Sequence, residues 1–221
     1  MKYRYEIKIP ISKFNETIFL NWILSLKHLK IQNESREINN IYYDTLNFRS
    51  AKDNLDGISN RTKYRIRWYK NNSKLSSCNI ELKIKRAKLN RKIIIPTSLN
   101  HLEVKDKDLF DLVKNSLDNK NLNDRNLYIQ KFFPTIQNKY HRVYYVYNDI
   151  RITYDTKIFH KNLRILSMNE WNNDDLYVLE IKFNEDKLNQ ARELISKIPL
   201  TPMWHSKYLR GLSHSKMALY I

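Results

Sequence analysis

Residues 63–69 read Lys-Tyr-Arg-Ile-Arg-Trp-Tyr, and charged and apolar side chains alternate strictly along this stretch. Successive side chains of a β-strand point to opposite sides of the sheet, so the alternation predicts a strand with one apolar face and one basic face. The apolar face carries Tyr64, Ile66 and Trp68, and the basic face carries Lys63, Arg65 and Arg67. The solvated face of a sheet is ordinarily a mixture of polar residue types, so a face made of long cations is unusual.

The same pattern recurs along the chain. Further strands are predicted over residues 3–9, 38–45, 80–85, 91–95, 136–147, 151–156 and 176–183. The cations that lie opposite the apolar faces of these strands are Arg4, Lys8, Lys83, Lys85, Arg142, Arg151 and Lys182. Apolar spacing of three and four residues predicts helices over 12–29, 106–117, 119–133, 185–198 and 206–221, and Pro10, Pro96 and Pro134 are interpreted as element ends. About eight antiparallel strands with helices grouped between them define an α+β fold.

The composition describes a folded chain with few special backbone positions. The 221 residues are 42% hydrophobic, which suits a single domain spanning residues 1–221. Gly-rich phosphate loops are excluded because the chain has 2 glycines, so a bound phosphate must be held by side chains. The single cysteine, Cys78, excludes an internal disulfide and a cysteine-based zinc site, and a reducing cytoplasm is the expected location. No signal peptide and no membrane-spanning stretch is predicted.

The net charge of +17 indicates an anionic partner. If the sheet closes with its basic face inward, two like charges about 5 Å apart repel by about 3 kcal/mol at an effective dielectric constant near ~20. Such a lumen is expected to be unstable until a polyanion enters, so removing Arg65 and Arg67 is expected to stabilise the empty protein. A chain of phosphates matches a row of guanidinium groups. The alternative is an open sheet whose basic face is solvated and carries cross-strand Glu–Lys pairs.

Three glutamates share the basic faces, namely Glu6, Glu81 and Glu180. Their carboxylates would repel phosphate, so they require another role. Carboxylate and phosphate oxygens together are the usual ligands of Mg²⁺ and Mn²⁺. A divalent metal that bridges a bound polyanion to the protein is therefore predicted.

Several motifs occur in an order that is typical of one family. They are Arg4-Tyr5-Glu6-Ile7-Lys8, Tyr42-Tyr43-Asp44-Thr45, Asp53-Asn54-Leu55-Asp56-Gly57, the 63–69 stretch, Glu81-Leu82-Lys83, Arg142, Arg151, Leu179-Glu180-Ile181-Lys182 and Ser206-Lys207-Tyr208. The ordered set resembles the VTC (vacuolar transporter chaperone) polyphosphate polymerase domain, of the triphosphate tunnel metalloenzyme (CYTH-like) superfamily. The first motif is similar to the opening Arg-x-Glu-x-Lys strand of that domain.

The resemblance implies an eight-stranded antiparallel β-barrel tunnel with flanking helices and a basic lining. The catalytic residues that it implies, through their grip on phosphates, are Arg65, Arg67, Lys83, Arg142, Arg151 and Lys207. Further substrate-binding residues would be Arg4, Lys8, Lys85, Arg91, Lys182 and Ser206. The family has one more basic residue after its first strand, and either Arg91 or Lys92 could fill that place. Glu180 would be the main ligand of Mn²⁺ or Mg²⁺, with Glu6 a weaker candidate.

The implied reaction passes the γ-phosphate of ATP to a growing polyphosphate chain, so the expected partners are ATP and inorganic polyphosphate. No nucleic acid is expected. The chain stops soon after the last helix, without the phosphate-sensing domain and membrane segments of eukaryotic relatives. Whether it acts with a membrane-associated partner protein stays open. Two rival functions are a tunnel triphosphatase, which needs the same cations and metal, and a non-catalytic module that binds polyphosphate or RNA.

Overall fold

The computed structural model describes residues 4–71, 74–87, 89–97, 99–100, 109, 131–165 and 170–215. Within these ranges one antiparallel sheet holds ten strands. They are β1 (Tyr5–Ser12), β2 (Lys30–Asp44), β3 (Asn60–Asn71), β4 (Lys74–Leu75), β5 (Asn79–Arg86), β6 (Leu89–Pro96), β7 (Phe133–Tyr147), β8 (Ile150–Asn162), β9 (Trp171–Asn173) and β10 (Leu176–Phe183). The helices are α1 (Glu16–Leu24), α2 (Arg49–Leu55), α3 (Leu188–Ser196) and α4 (Lys207–His214), and 3₁₀ turns over Lys13–Asn15 and Glu185–Lys187 precede α1 and α3.

Eight of the strands form a continuous path in the order β1-β10-β8-β7-β2-β3-β5-β6, with β4 added to β3 and β9 added to β8. The two end strands of this path meet at one bridge, where the backbones of Arg4 and Asn90 exchange hydrogen bonds of 3.2 and 3.1 Å. The predicted eight-stranded antiparallel tunnel is confirmed. The expected full closure into a barrel is wrong in one respect, because among the described residues a single bridge joins β6 to the start of β1 in place of a continuous ladder.

The outer face of the sheet carries the hydrophobic core. On one side, α1 and α3 cover β1, β8 and β10, and Phe19 and Leu194 pack there against Ile9, Ile152 and Leu179. The apolar residues of the decisive 63–69 stretch lie in a second cluster on β3 and its neighbours. That cluster includes Ile41, Tyr64, Ile66, Trp68, Ile80, Leu82 and Leu109. The basic faces of the strands consequently turn inward.

Helix α4 fills one end of the space that the sheet encloses. Its apolar residues Tyr208, Leu209 and Leu212 pack against Tyr42 and Ile136. The Tyr208 hydroxyl donates to a carboxylate oxygen of Asp44, at 2.6 Å. The same carboxylate accepts from the backbone N–H groups of Ser50 and Ala51 and so caps α2.

Several predicted element ends were wrong. Pro10 lies within β1 opposite Val178, where β1 is paired on one side, and proline is tolerated at such an edge. Pro134 lies within β7 opposite Tyr43 rather than ending a helix. The helices predicted over 106–117 and 119–133 fall outside the described residues, apart from Leu109 and residues 131–133.

The remaining elements agree with the predictions in kind and differ in extent. The predicted helix over 12–29 is limited to Glu16–Leu24 after a 3₁₀ turn, and the last helix is described over Lys207–His214. Strand β2 begins at Lys30, earlier than predicted, and α2 was not predicted. None of the helices in the described part of the chain has the length and hydropathy of a membrane-spanning segment.

Candidate anion-binding tunnel

The inner face of the sheet surrounds a cavity, which is called the lumen below. Thirteen Lys and Arg side chains and two carboxylates belong to its described lining. The cations are Arg4, Lys8, Arg36, Lys63, Arg65, Arg67, Lys83, Arg91, Lys92, Arg142, Arg151, Lys182 and Lys207. Apart from Arg91 and the α4 residue Lys207, they converge because each strand places alternate residues on its inner face.

The structure brings together nearly all of the predicted site residues. Those that line the lumen are Arg4, Glu6, Lys8, Arg65, Arg67, Lys83, Arg91, Arg142, Arg151, Glu180, Lys182, Ser206 and Lys207. Lys85 is different, because it lies two residues beyond Lys83 on β5 and lines an adjoining cavity instead. The placement is a structural finding, whereas the catalytic and binding roles of these residues stay predictions.

Buried carboxylates hold many of the cations in place. Glu81 is buried and accepts from the Arg65 guanidinium at 2.6 and 2.7 Å. The Lys92 ammonium bonds its other oxygen at 3.0 Å. Burial acts to raise the pKa of the Glu81 carboxyl, but Arg65 and Arg67 outweigh it and hold that pKa well below the ordinary value. Glu81 is therefore ionised and serves as a fixed counter-charge on β5.

A second carboxylate organises the α4 end of the lumen. The Arg142 guanidinium binds Asp155 through two hydrogen bonds of 2.5 and 2.7 Å, and the Lys207 ammonium binds the same carboxylate at 2.7 Å. Despite complete burial, these two cations lower the pKa of Asp155 to about 2. The sequence analysis missed Asp155, although it follows Arg151 and Thr153 at two-residue steps and so shares their face.

Glu6 and Glu180, the predicted metal ligands, lie on the neighbouring strands β1 and β10. Glu6 contacts the Lys83 ammonium at 2.6 Å and that of Lys8 at 3.5 Å. Glu180 contacts Lys182 at 3.2 Å and Arg142 at 3.4 Å. Burial opposes ionisation of both carboxyls, but the surrounding cations lower both pKa values, and that of Glu180 lies well below its ordinary value.

Glu6 lies opposite Lys182 and Glu180 lies opposite Lys8, so the two carboxylates are diagonal neighbours on one face of the sheet. Carboxylate oxygens, together with phosphate oxygens and water, are the ligands that a hard divalent cation takes. A compact group of three potential ligand side chains occurs elsewhere among the described residues, at Asp174, Asp175 and His214. There the Arg210 guanidinium already contacts Asp174 and Asp175, at 2.6 and 2.5 Å, so a cation occupies that cluster. Glu6 and Glu180 likewise contact Lys83 and Lys182, so a neighbouring cation does not distinguish the two groups. The lumen pair differs in lining the cavity of the predicted anion, and its role as a metal site stays a prediction.

These pairs correct the expectation that repulsion dominates the empty lumen. Arg65, Lys83 and Arg142 each have a carboxylate partner within 3 Å. A surplus of positive charge nevertheless persists. Burial, followed by the charges of Lys8 and Lys83, lowers the pKa of Lys63 well below its ordinary value.

The structure distinguishes the two candidates for the basic residue after the first strand. Lys92 lies opposite Lys83 and shares its inward face, whereas Arg91 lies opposite the outward residue Ile84. Both nevertheless line the lumen, near the place where β6 meets the start of β1. Because Lys92 also bonds Glu81, the structure favours Lys92 over Arg91 for that place, and its role stays a prediction.

Tyrosines complete the lining, and an asparagine behind it supports one of the cations. No sequence signal beyond strand alternation predicts these residues. The Arg67 guanidinium donates to the Asn40 side-chain oxygen at 2.7 Å and to the Tyr140 hydroxyl at 3.0 Å. Arg36 donates to the Tyr144 hydroxyl at 3.1 Å. These two hydroxyls fix the direction of two guanidinium groups.

Solved structures with a similar fold cover almost the whole chain. A putative adenylate cyclase from Vibrio parahaemolyticus is 14% identical with a TM-score of 0.55, over 96% of this chain and 99% of that chain. The putative adenylyl cyclase HpAC1 from Hippeastrum, described as having a dominant triphosphatase activity, is 16% identical with a TM-score of 0.56, over 95% of both chains. A putative adenylate cyclase from Bacillus halodurans is 14% identical with a TM-score of 0.51, over 93% of this chain and 96% of that chain. At such identities the likeness shows the fold, which is the triphosphate tunnel fold.

A comparison with curated proteins gives no match. A comparison with protein families matches the model of the VTC domain to residues 3–216. Because this match spans nearly the whole chain, the protein belongs to the VTC domain family.

Proposed function

We propose that this protein is a polyphosphate polymerase that transfers the γ-phosphate of ATP to a growing polyphosphate chain inside the lumen. The observation that carries the proposal is the convergence of thirteen cations on a lumen whose described lining has two carboxylates. A linear anion with charge on every unit compensates such a surplus along its whole length. Membership of the VTC domain family supports the same assignment.

Positioning and charge neutralisation would supply most of the catalysis, because phosphoryl transfer depends chiefly on in-line geometry and on cations at the phosphate oxygens. The acceptor is already an ionised phosphate oxygen, so the reaction needs no general base. The proposed phosphate-gripping residues are Arg65, Arg67, Lys83, Arg142, Arg151 and Lys207. The counter-charges Glu81 and Asp155 hold three of these cations in fixed directions before the ligand arrives.

Glu180 and Glu6 would hold Mn²⁺ or Mg²⁺ together with phosphate oxygens of the ligand. When bound, such an ion supplies Lewis-acid polarisation of the phosphoryl group. The low pKa of Glu180 keeps its carboxylate available as a ligand at neutral pH.

The test is to incubate the purified protein with ATP and Mn²⁺ and to resolve the products by chain length. The proposal predicts ADP together with polyphosphate chains. Orthophosphate or pyrophosphate without chains would assign the protein as a tunnel triphosphatase, an activity described for the Hippeastrum protein of similar fold. Tight binding of polyphosphate without turnover would assign it as a binding module.

Nucleic acid is not a proposed partner, because the cations line the lumen. The apolar residues that alternate with them along β3 face the outer core. RNA binding with a steep salt dependence that survives Arg65→Ala with Arg67→Ala would instead place an RNA site on the outer surface. We also propose that residues 1–221 act as a single domain in the cytoplasm, where ATP is supplied. The one cysteine, Cys78, is buried, and a chain with one cysteine forms no internal disulfide.

A further inference from the structure

Helix α1 and the turn before it are apolar on the side that meets solvent as well as on the side that meets the core. The core side supplies Phe19, Trp22 and Ile23 to the cluster beneath the helix. The solvent side presents four large apolar side chains, which are called the α1 face below: Phe14, Ile18, Leu20 and Leu24. Phe14 and Leu24 are the most exposed of the four, at 96% and 79%. The exposed positions between them are polar but uncharged, at Thr17, Asn21 and Ser25. A helix that is apolar on all sides is ordinarily covered on all sides, so the α1 face is expected to have a partner.

Helix α3 packs over the same core cluster and has an ordinary solvent side. Its exposed residues are polar or charged, namely Asn189, Gln190, Arg192, Glu193 and Ser196. The Glu193 carboxylate pairs with the Lys197 ammonium at 2.6 Å. The apolar exposure of α1 is therefore a property of that helix and not of the composition of the chain. Exposed apolar surface of this kind ordinarily marks a binding surface.

The charged groups that surround the α1 face are positive. Lys13 lies in the turn before α1, Lys27 and Lys30 follow the helix, and all three are exposed. The one carboxylate between residues 12 and 33 belongs to Glu16, and it accepts a hydrogen bond of 2.8 Å from the Tyr154 hydroxyl. Tyr154 belongs to the core cluster, so this negative charge is directed toward the core. Apolar side chains with lysines beside them match the interface of an anionic bilayer, where the apolar groups reach the acyl chains and the ammonium groups contact headgroups.

We propose that α1 docks on the surface of an anionic lipid bilayer, with the α1 face at the boundary between the headgroups and the acyl chains. Lys13, Lys27 and Lys30 would then contact the anionic headgroups. The inference goes beyond the proposed function and does not depend on it, because none of these residues lines the lumen.

Two other occupants fit the α1 face less well. A symmetric contact with a second copy of the chain would bring two equal sets of lysines together, and like charges repel. A stable protein complex buries about 800 Å² on each partner, which exceeds what one side of a nine-residue helix about 13 Å long offers. A bilayer has no such minimum, because its affinity grows with each side chain that enters it.

The experiment measures co-sedimentation with vesicles of phosphatidylcholine alone and of phosphatidylcholine mixed with phosphatidylglycerol. Tripolyphosphate is present throughout, to compete with lipid headgroups for the lumen. The wild-type protein should bind the mixed vesicles and bind the neutral ones weakly. Phe14→Ser with Leu24→Ser should lower the partition coefficient for mixed vesicles by about tenfold or more, because two side chains that enter the bilayer are lost. Leu46→Ser with Leu55→Ser, which removes two exposed apolar side chains near α2, is the matched control and should bind as wild type.

A second double variant tests the charges. Lys27→Gln with Lys30→Gln should weaken binding to mixed vesicles by roughly tenfold and should leave the weak binding to neutral vesicles unchanged. Since all the substituted residues are exposed, each variant should keep the wild-type Tm.

The inference is overturned if the wild-type protein does not bind the mixed vesicles. It is also overturned if Phe14→Ser with Leu24→Ser binds them as wild type does, or if the control near α2 loses as much affinity. A dimer in light scattering that Phe14→Ser with Leu24→Ser dissociates, without vesicle binding, would assign the α1 face to a second copy instead. The proposed function is tested separately by the products formed from ATP, so either can fail while the other stands.

Discussion

At the scale of single residues, two buried carboxylates behind the lining of the lumen each hydrogen-bond two of its cations. Glu81 holds Arg65 and Lys92, and Asp155 holds Arg142 and Lys207. Strand alternation alone predicts which cations face inward. It does not predict which carboxylate pairs with which cation, because partners such as Arg142 and Asp155 lie on different strands and meet through the register between β7 and β8.

Glu180→Gln tests the metal assignment. The amide keeps the size of the side chain but removes the charge that a hard cation requires, so metal-dependent turnover should be abolished while the fold is retained. Turnover with Mn²⁺ and the thermal midpoint Tm would be measured together. Glu193→Gln, on the exposed surface of α3, is the matched control and should behave as wild type. Undiminished activity of Glu180→Gln would remove this carboxylate from the proposed metal site.

Lys182 predicts a pH dependence of anion binding. Burial is the main cause that lowers its pKa from 10.5 to about 8. The charged ammonium is the form that attracts phosphate, so affinity for tripolyphosphate should be full below about pH 8 and should fall as pH rises through that value. Lys182→Arg keeps its charge at higher pH and should delay the loss, and titrations of both proteins across this range would show it. Identical profiles for the two proteins would exclude Lys182 as the titrating group.

At the scale of elements, the faces of the strands were predictable and their ends were not. Hydrophobic alternation fixes which side of β3 and β5 meets the core, because burial of one face is the dominant favourable term. The sequence predicts that Pro10 and Pro134 end a strand and a helix, yet both lie in strands at positions that are paired on one side. Helix α2 was not predicted, because no capping residue stands directly before it in the sequence. Its cap, Asp44, lies five residues before the first helical residue and contacts the helix in the folded chain.

Replacing two cations on β3 tests the pairing within the lumen. Arg65→Ala with Arg67→Ala leaves the buried Glu81 carboxylate with Lys92 as its remaining close partner and frees the Asn40 and Tyr140 side chains. The double variant should therefore lose stability, on the order of 3 kcal/mol, since an uncompensated buried charge is costly. Urea unfolding without ligand would measure the loss, with Arg192→Ala on α3 as a surface control. A gain in stability would instead support the repulsion that the sequence analysis expected.

Gly211 tests the docking of α4. A Cβ at this position would lie 2.5 Å from Ile136 Cγ2 and 3.1 Å from His160 Nδ1. In a free helix, alanine is favoured over glycine by about 1 kcal/mol, but overpacking a core typically costs about 1–3 kcal/mol. Gly211→Ala should lower Tm, whereas Ser213→Ala, on the exposed side of α4, should leave it nearly unchanged. A higher Tm for Gly211→Ala would show that α4 packs less closely against β7 and β8.

At the scale of the whole molecule, a chain with a net charge of +17 turns thirteen of its 40 Lys and Arg side chains into one lumen. The family match and the fold agree with that organisation. In a tunnel, strands along which apolar and basic residues alternate place the basic residues on the interior. Closure was predictable only through the resemblance, since alternation fits an open sheet equally well. The bridge between Arg4 and Asn90 joins residues that are far apart in the sequence, so no local sequence pattern predicts it.

The central claim is that the lumen itself binds the phosphates. A crystal structure of the protein with β,γ-imido-ATP and Mn²⁺ tests it most directly. The account predicts the triphosphate inside the lumen, in contact with Arg65, Arg142 and Lys207, and the metal beside Glu180. Phosphates bound on the outer surface, with the lumen free of anion density at saturating ligand, would contradict it.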